Sequence, residues 1–172
     1  MANLSFIQKT VLTSNQSTVT LSNIPQDYDD LVFYYSCRTP DTSGDGFGVN
    51  FIRFNGQSTN VYAYQLISSN GSSLGSSAST ATSSIHGGIW PGGYATSGAF
   101  SNMRVYIADY TSSLDKPVHV YTTCENNSTL GYTFTVTGRY LSSSAITSIS
   151  VVANFTQMLP NSTFYIYGVT NA

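Results

Sequence analysis

The sequence predicts an all-β protein, a single antiparallel β-sandwich of jelly-roll type with about eight or nine strands. Three observations predict it. Short runs alternate apolar and polar residues with period two, the repeat of a strand that buries one face. Turn residues separate these runs at regular intervals, and no stretch of helical length carries a helical period. The 13 Tyr and 9 Phe suit pleated surfaces better than helices.

Taken in order, residues 1–13 form a lead-in arm or edge strand, in which Leu4, Phe6 and Ile7 can pack along an edge or onto a neighbouring subunit. Residues 14–172 form the sandwich, with a loop insertion at 68–98. Ser17 to Leu21 alternates as a half-buried strand and is stopped by Pro25, which cannot donate to a ladder. Leu31 to Arg38 is the strongest strand, with Leu31, Phe33, Tyr35 and Cys37 on one face and Val32, Tyr34, Ser36 and Arg38 on the other. Val49 to Asn55 follows and is closed by the turn pair Asn55-Gly56. Val61 to Ile67 is a shorter strand. Beyond the insertion, Met103 to Asp109 and Val118 to Cys124 alternate again. Tyr132 to Arg139 does so most cleanly, with Tyr132, Phe134 and Val136 inward and three Thr outward. Ile146 to Val152 and Thr163 to Val169 complete the set.

The insertion from Ser68 to Gly98 contains no Lys, Arg, Asp or Glu, and its large apolar side chains are Leu74, Ile85, Ile89, Trp90 and Tyr94. It reads as a long Gly/Ser-rich loop, and loops of that length inside a domain are usually functional or ordered by a partner. Trp90 and Tyr94 are its aromatic anchors, with three readings open: contact with another subunit, packing back on the domain's own core, or stacking on a sugar ring. With Ile89, Leu74 and Phe6 they form the candidate interface set.

Charge and motifs exclude more than they assign. Charged residues are 8% of the chain and the net charge is −2, with the six basic residues scattered singly. Nucleic-acid binding needs clustered cations and is not expected. Met1-Ala2-Asn3 opens without a basic start and apolar run, so no export signal is expected. Asp41 to Gly46 imitates the start of a calcium loop, but the twelfth position is Ile52 where a bidentate Glu is required, so a plain hairpin turn is the simpler reading. His86 and His119 cannot supply a zinc site with only Cys37 and Cys124 beside them, and both cysteines fall on inward faces as small buried hydrophobes. No phosphate loop is present, and Glu125 is the sole Glu. No catalytic residues, metal or cofactor are expected.

Several segments in order carry a resemblance: Ser22 to Leu31 (SNIPQDYDDL), Phe54-Asn55-Gly56 with Asn60, Tyr62 and Tyr64, and Tyr106 to Ser112 (YIADYTS). Glu125-Asn126-Asn127, Ala145 to Ile149 and the closing Ser162 to Val169 (STFYIYGV) continue it. Together they resemble a family of small virion structural proteins of tailed bacteriophages. The resemblance implies a jelly-roll-like, non-enzymatic component that decorates the head or forms part of a fibre. It implies contacts with other virion proteins, first the major capsid protein, as a homo-oligomer and most simply a trimer. Assembly would take place in the host cytoplasm, without nucleic acid or membrane as partner. The alternative is a tail or fibre module that grips host surface polysaccharide through aromatic faces.

Overall fold

The computed structural model describes residues 3–42, 47–126 and 130–171, and every regular element among them is a strand. In chain order these are β1 (Asn3–Val11), β2 (Thr18–Ser22), β3 (Asp30–Ser36), β4 (Phe47–Phe54), β5 (Tyr62–Ser69), β6 (Leu74–Thr82), β7 (Ile85–Pro91), β8 (Asn102–Ile107), β9 (Lys116–Glu125), β10 (Gly131–Tyr140), β11 (Ser148–Ala153) and β12 (Thr163–Thr170). Eight form one sheet in the order β1-β12-β3-β8-β9-β10-β5-β6, and four form the other in the order β2-β11-β4-β7. All pairings are antiparallel. The all-β sandwich expected from the alternation is present.

The path of the chain is that of a jelly roll. The run β1 to β4 pairs strand for strand with the returning run β12, β11, β8 and β7, and successive partners alternate between the sheets. Two hairpins, β5–β6 and β9–β10, are set into this roll and extend the larger sheet past β8. The alternating apolar residues named above meet between the sheets. Leu31, Phe33 and Tyr35 of β3 and Met103, Val105 and Ile107 of β8 are all buried. They join Ile52 and Phe54 of β4, Ile149 and Val151 of β11, and Val118 and Val120 of β9 in one core. Asn55 and Gly56 turn with φ of 53° and 66°, as the turn pair predicted.

The stretch 68–98 corrects the sequence reading. It is not a long loop. Asn70 to Ser73 makes a tight hairpin, closed by the Asn70 N–H on Ser73 O and by Asn70 Oδ1, which accepts from the Ser72 and Ser73 N–H groups. β6 follows on the edge of the larger sheet, and β7 lies in the smaller one. β6 escaped detection because an edge strand with nothing packed on either face needs no apolar alternation, and nearly every residue of it is exposed. β7 escaped for the opposite reason. It is covered almost throughout, so its Gly and apolar residues show no period. Within the lead-in, Asn3–Val11 takes the edge-strand option, pairing with β12.

One polar cluster lies between the sheets. Opposite Asn50, β7 bulges by one residue, so that Asn50 pairs with Gly88 and Phe51 with His86. The Tyr35 hydroxyl of the larger sheet donates to Asn50 Oδ1 (2.8 Å), while Asn50 Nδ2 donates to Gly88 O (3.0 Å). The Thr122 hydroxyl of β9 donates to Gly87 O (2.9 Å). Gly88 holds φ of 94°, and a Cβ at Gly87 would collide with the Asn50 side chain. Replacing Asn50 by Leu should keep the volume but leave the Tyr35 hydroxyl only its longer bond to the Gly87 carbonyl (3.4 Å) and take the side-chain donor from the Gly88 carbonyl. We expect a loss of about 3 kcal/mol, read as a lower midpoint in urea unfolding.

The bulge also sets a protonation state. Gly88 N–H donates to His86 Nδ1 (2.9 Å), and the imidazole stacks on Phe134 with ring centroids 5.8 Å apart. Burial lowers the His86 pKa from 6.5 to about 4. The unfolded chain therefore takes up this proton near 6.5 and the folded chain only near 4, so unfolding binds a proton between those values. The stability is full above the upper value and declines as the pH falls toward the lower one, by roughly 3 kcal/mol in all. Urea unfolding across that range should show the decline, and His86→Gln should flatten the share that His86 contributes.

Candidate functional site

The smaller sheet covers one face of the larger sheet, and the other face stands open. Period-two geometry puts the residues between the core positions there, and the strand registers align them in rows. One row runs Phe6, Tyr167, Val32, Tyr106, His119 across β1, β12, β3, β8 and β9. The next runs Lys9, Tyr165, Tyr34, Arg104, Tyr121 across the same strands. Five of the chain's 13 Tyr thus gather on one side of four adjacent strands. Tyr167 receives Phe6 and Tyr34 edge-on at 5.7 and 6.0 Å, and the Lys9 ammonium lies 5.2 Å from the Tyr165 ring centre. On β10, β5 and β6 the rows continue as Thr135, Thr137, Gln65, Ile67, Ser76 and Ala78. The open face is therefore aromatic on one half and small and hydroxylated on the other.

Two open depressions of about 500 Å³ each lie on it. The aromatic half holds one, lined by Tyr34, Arg104, Tyr106, His119 and Asn171. The other lies over β10, β5 and β6, between Gln65, Thr137 and the exposed Arg139–Asp115 pair at 3.8 Å. β9 contributes to both, through His119 and Pro117, so they adjoin on one surface.

A buried carboxylate fixes the first depression. Asp30, at the start of β3, accepts the Tyr106 hydroxyl on Oδ2 (2.5 Å), the Asn171 side-chain amide (3.0 Å) and, on Oδ1, the Asp109 N–H (2.9 Å). Burial alone would raise its pKa, but these three donors together outweigh it and hold the carboxyl below its ordinary value. In return the hydrogen bond to Asp30 pushes Tyr106 up to about 12. Tyr106 is thereby held as a neutral hydroxyl with its ring in a set orientation on the face.

The five residues of the sequence-derived interface set are not brought together. Trp90 and Ile89 are buried in the core, which resolves the three readings of Trp90 in favour of self-packing. Its indole lies against Gly48, where any Cβ would strike it, and its Nε1 has no hydrogen-bond partner among the described residues. Tyr94 is 67% exposed in the turn after β7, a segment held by the Arg38 guanidinium through the carbonyls of Ala95, Thr96 and Ala99. Phe6 and Leu74 are exposed on opposite edges of the larger sheet. Only Phe6 belongs to the aromatic half. What the sequence reading missed is the Tyr cluster and its Asp30 support. The signal was present as large aromatics at the outward positions of β3, β8, β9 and β12. A further exposed aromatic, Phe155, stands wholly in solvent with φ of 56°.

Among the described residues no cluster of His, Cys, Asp and Glu could hold a metal ion. Cys37 and Cys124 are free and buried, and burial pushes the Cys37 thiol far up and Cys124 to about 12, so neither is a thiolate at neutral pH. The imitation calcium loop falls in part on residues 43–46, outside the described residues. Comparison with protein-family models, curated proteins and solved structures finds no match for this chain. Replacing Asp30 by Asn should remove the negative charge that holds the Tyr106 proton. The Tyr106 hydroxyl is then expected to titrate below about 12 and nearer the ordinary tyrosine value, as read by ultraviolet absorbance.

Proposed function

We propose that this chain is a non-enzymatic structural protein of a bacteriophage virion, a capsid decoration subunit that stabilises the head by contacts with its neighbours. The observation that carries this reading is the open face of the eight-stranded sheet, with its five Tyr set among the scattered charges of Lys9, Arg104 and the Arg139–Asp115 pair. Tyr buries much area with few rotatable bonds and keeps a polar tip, and with Arg it is enriched where proteins meet. Lys and Glu, which oppose association, are nearly absent. A shell lattice multiplies a modest interface by binding many copies at once. The segment resemblance to phage virion proteins points the same way.

A second reading has its own observation. The depression between Tyr34, Tyr106, His119, Arg104 and Asn171 combines ring faces with side-chain donors, the equipment for holding a sugar ring, and would suit a tail or fibre module that grips host polysaccharide. Copy number separates the two. Quantitative mass spectrometry of purified particles should find this chain at a ratio to the major shell protein near one or a simple lattice fraction. A few copies per particle would move the reading to the tail or fibre, and absence would end both. Tyr34→Ser with Tyr121→Ser should leave the fold intact by circular dichroism. Affinity for particles stripped of this chain should weaken about 30-fold or more, as the loss of about 2 kcal/mol at a contact hot spot would require.

A further inference from the structure

The four sheet edges are not treated alike. β1 carries a bulge between Phe6 and Gln8 and the charged Lys9. β2 is only five residues long. β7 is almost wholly buried, bulged opposite Asn50, and ends on Pro91. These are the devices by which proteins keep an edge from pairing with another chain. β6 has none of them over Leu74 to Ser79. It is nine residues long, without charge or Pro, exposed on both faces, and its one register shift falls beyond Ser79. Its neighbour β5 carries no charge either.

The direction of the free backbone groups follows from the hairpin. Asn70 N–H donates to Ser73 O, and antiparallel pairs alternate from that point. Gly75 and Ser77, opposite Ser68 and Leu66, then turn their backbone groups toward β5. Leu74, Ser76 and Ala78 point theirs away from the sheet.

We propose that β6 is the site at which a second copy of this chain adds to the larger sheet, strand to strand and antiparallel, about a two-fold axis at Ser76. In that register Ser76 exchanges both backbone hydrogen bonds with its own counterpart, and Leu74 does so with Ala78 of the other copy in each direction. All three outward-pointing residues are used, and Leu74, 83% exposed in the single chain, is laid against Ala78 beside Ile67. The side chains of the edge favour an identical partner. A foreign strand is chosen by pockets for its alternate side chains, and the depression that Ala78, Ser79 and Thr80 line opens toward β5 and β10, away from the free edge of β6. A charged partner would find nothing on β5 or β6 to complement it. An identical edge finds nothing to repel it, and the small side chains let the two backbones reach strand spacing. The pairing is two-fold, so it gives a dimer where the family resemblance suggested a trimer.

Three variants test it by sedimentation velocity over a range of concentrations. The wild type should pass from 18.5 kDa to twice that mass as concentration rises. Ser76→Pro removes only an outward N–H, and Ser76→Lys sets two ammonium groups face to face on the axis. Each should weaken dimerisation about tenfold or more while leaving the unfolding midpoint of the monomer near wild type. Ser76→Glu alone should do the same, and mixing it with Ser76→Lys should restore a dimer of one copy of each. A wild type that stays monomeric to about millimolar concentration would overturn the proposal. So would a trimer, or a dimer indifferent to all three variants. Protection of the Ser76 and Ala78 amides only after assembly into a particle would likewise overturn it, and would assign the edge to a strand from another virion protein.

Discussion

The two sheets are tied together by hydrogen bonds as well as by apolar packing: the Tyr62 hydroxyl of β5 bonds the Phe54 backbone of β4, and the larger tie runs through Asn50. This side chain sits on the inward face of β4, where an apolar residue would cost nothing to bury. Its oxygen receives the Tyr35 hydroxyl from one sheet and its amide reaches the Gly88 carbonyl of its own. The bulge that frees the Gly87 carbonyl for Thr122 also turns His86 so that it can take the Gly88 N–H. In a medium of low polarity a fully satisfied network of this kind favours one arrangement, because any slip leaves several groups unpaired at once. Registry of β7 against β4, and of the small sheet against β3 and β9, rests on it.

With the sheets so held, the larger one can be wider than the smaller. Eight strands face four: β7 packs across β9, β10 and β5, so of the two hairpins inserted into the roll only β6 lies beyond the cover. That asymmetry creates the surfaces from which function is argued. The covered part of the sheet presents its far side as the Tyr-rich face, and the uncovered end leaves β6 with both faces and one edge free. Asp30 links the scaffold to that face, since a buried carboxylate at the start of β3 orients Tyr106 and ties down the chain end at Asn171.

Much of this was legible in the residues. Nine strands announced themselves because burial of one face imposes a period of two, and Leu31 to Cys37 or Tyr132 to Val136 can be read no other way. The strands that stayed hidden are those for which burial imposes no period. β6 has no covered face, and its only announcement was the Asn70-Gly71 pair, a hairpin signal submerged in a run of Ser. β7 has no free face. The same logic misplaced Trp90. An aromatic in a Gly-rich run looked like a displayed anchor, but Gly48 opposite it leaves the volume that its indole fills.

Composition and alternation by themselves determined that this protein is all-β, poor in charge and rich in Tyr, because those properties act residue by residue or between near neighbours. Only the tertiary structure decided which residues meet. That Asn50, Tyr35 and Thr122 form one network, that five Tyr share a face, and that β6 is an edge all depend on strand order. Strand order joins segments far apart in the chain, and no local preference encodes it.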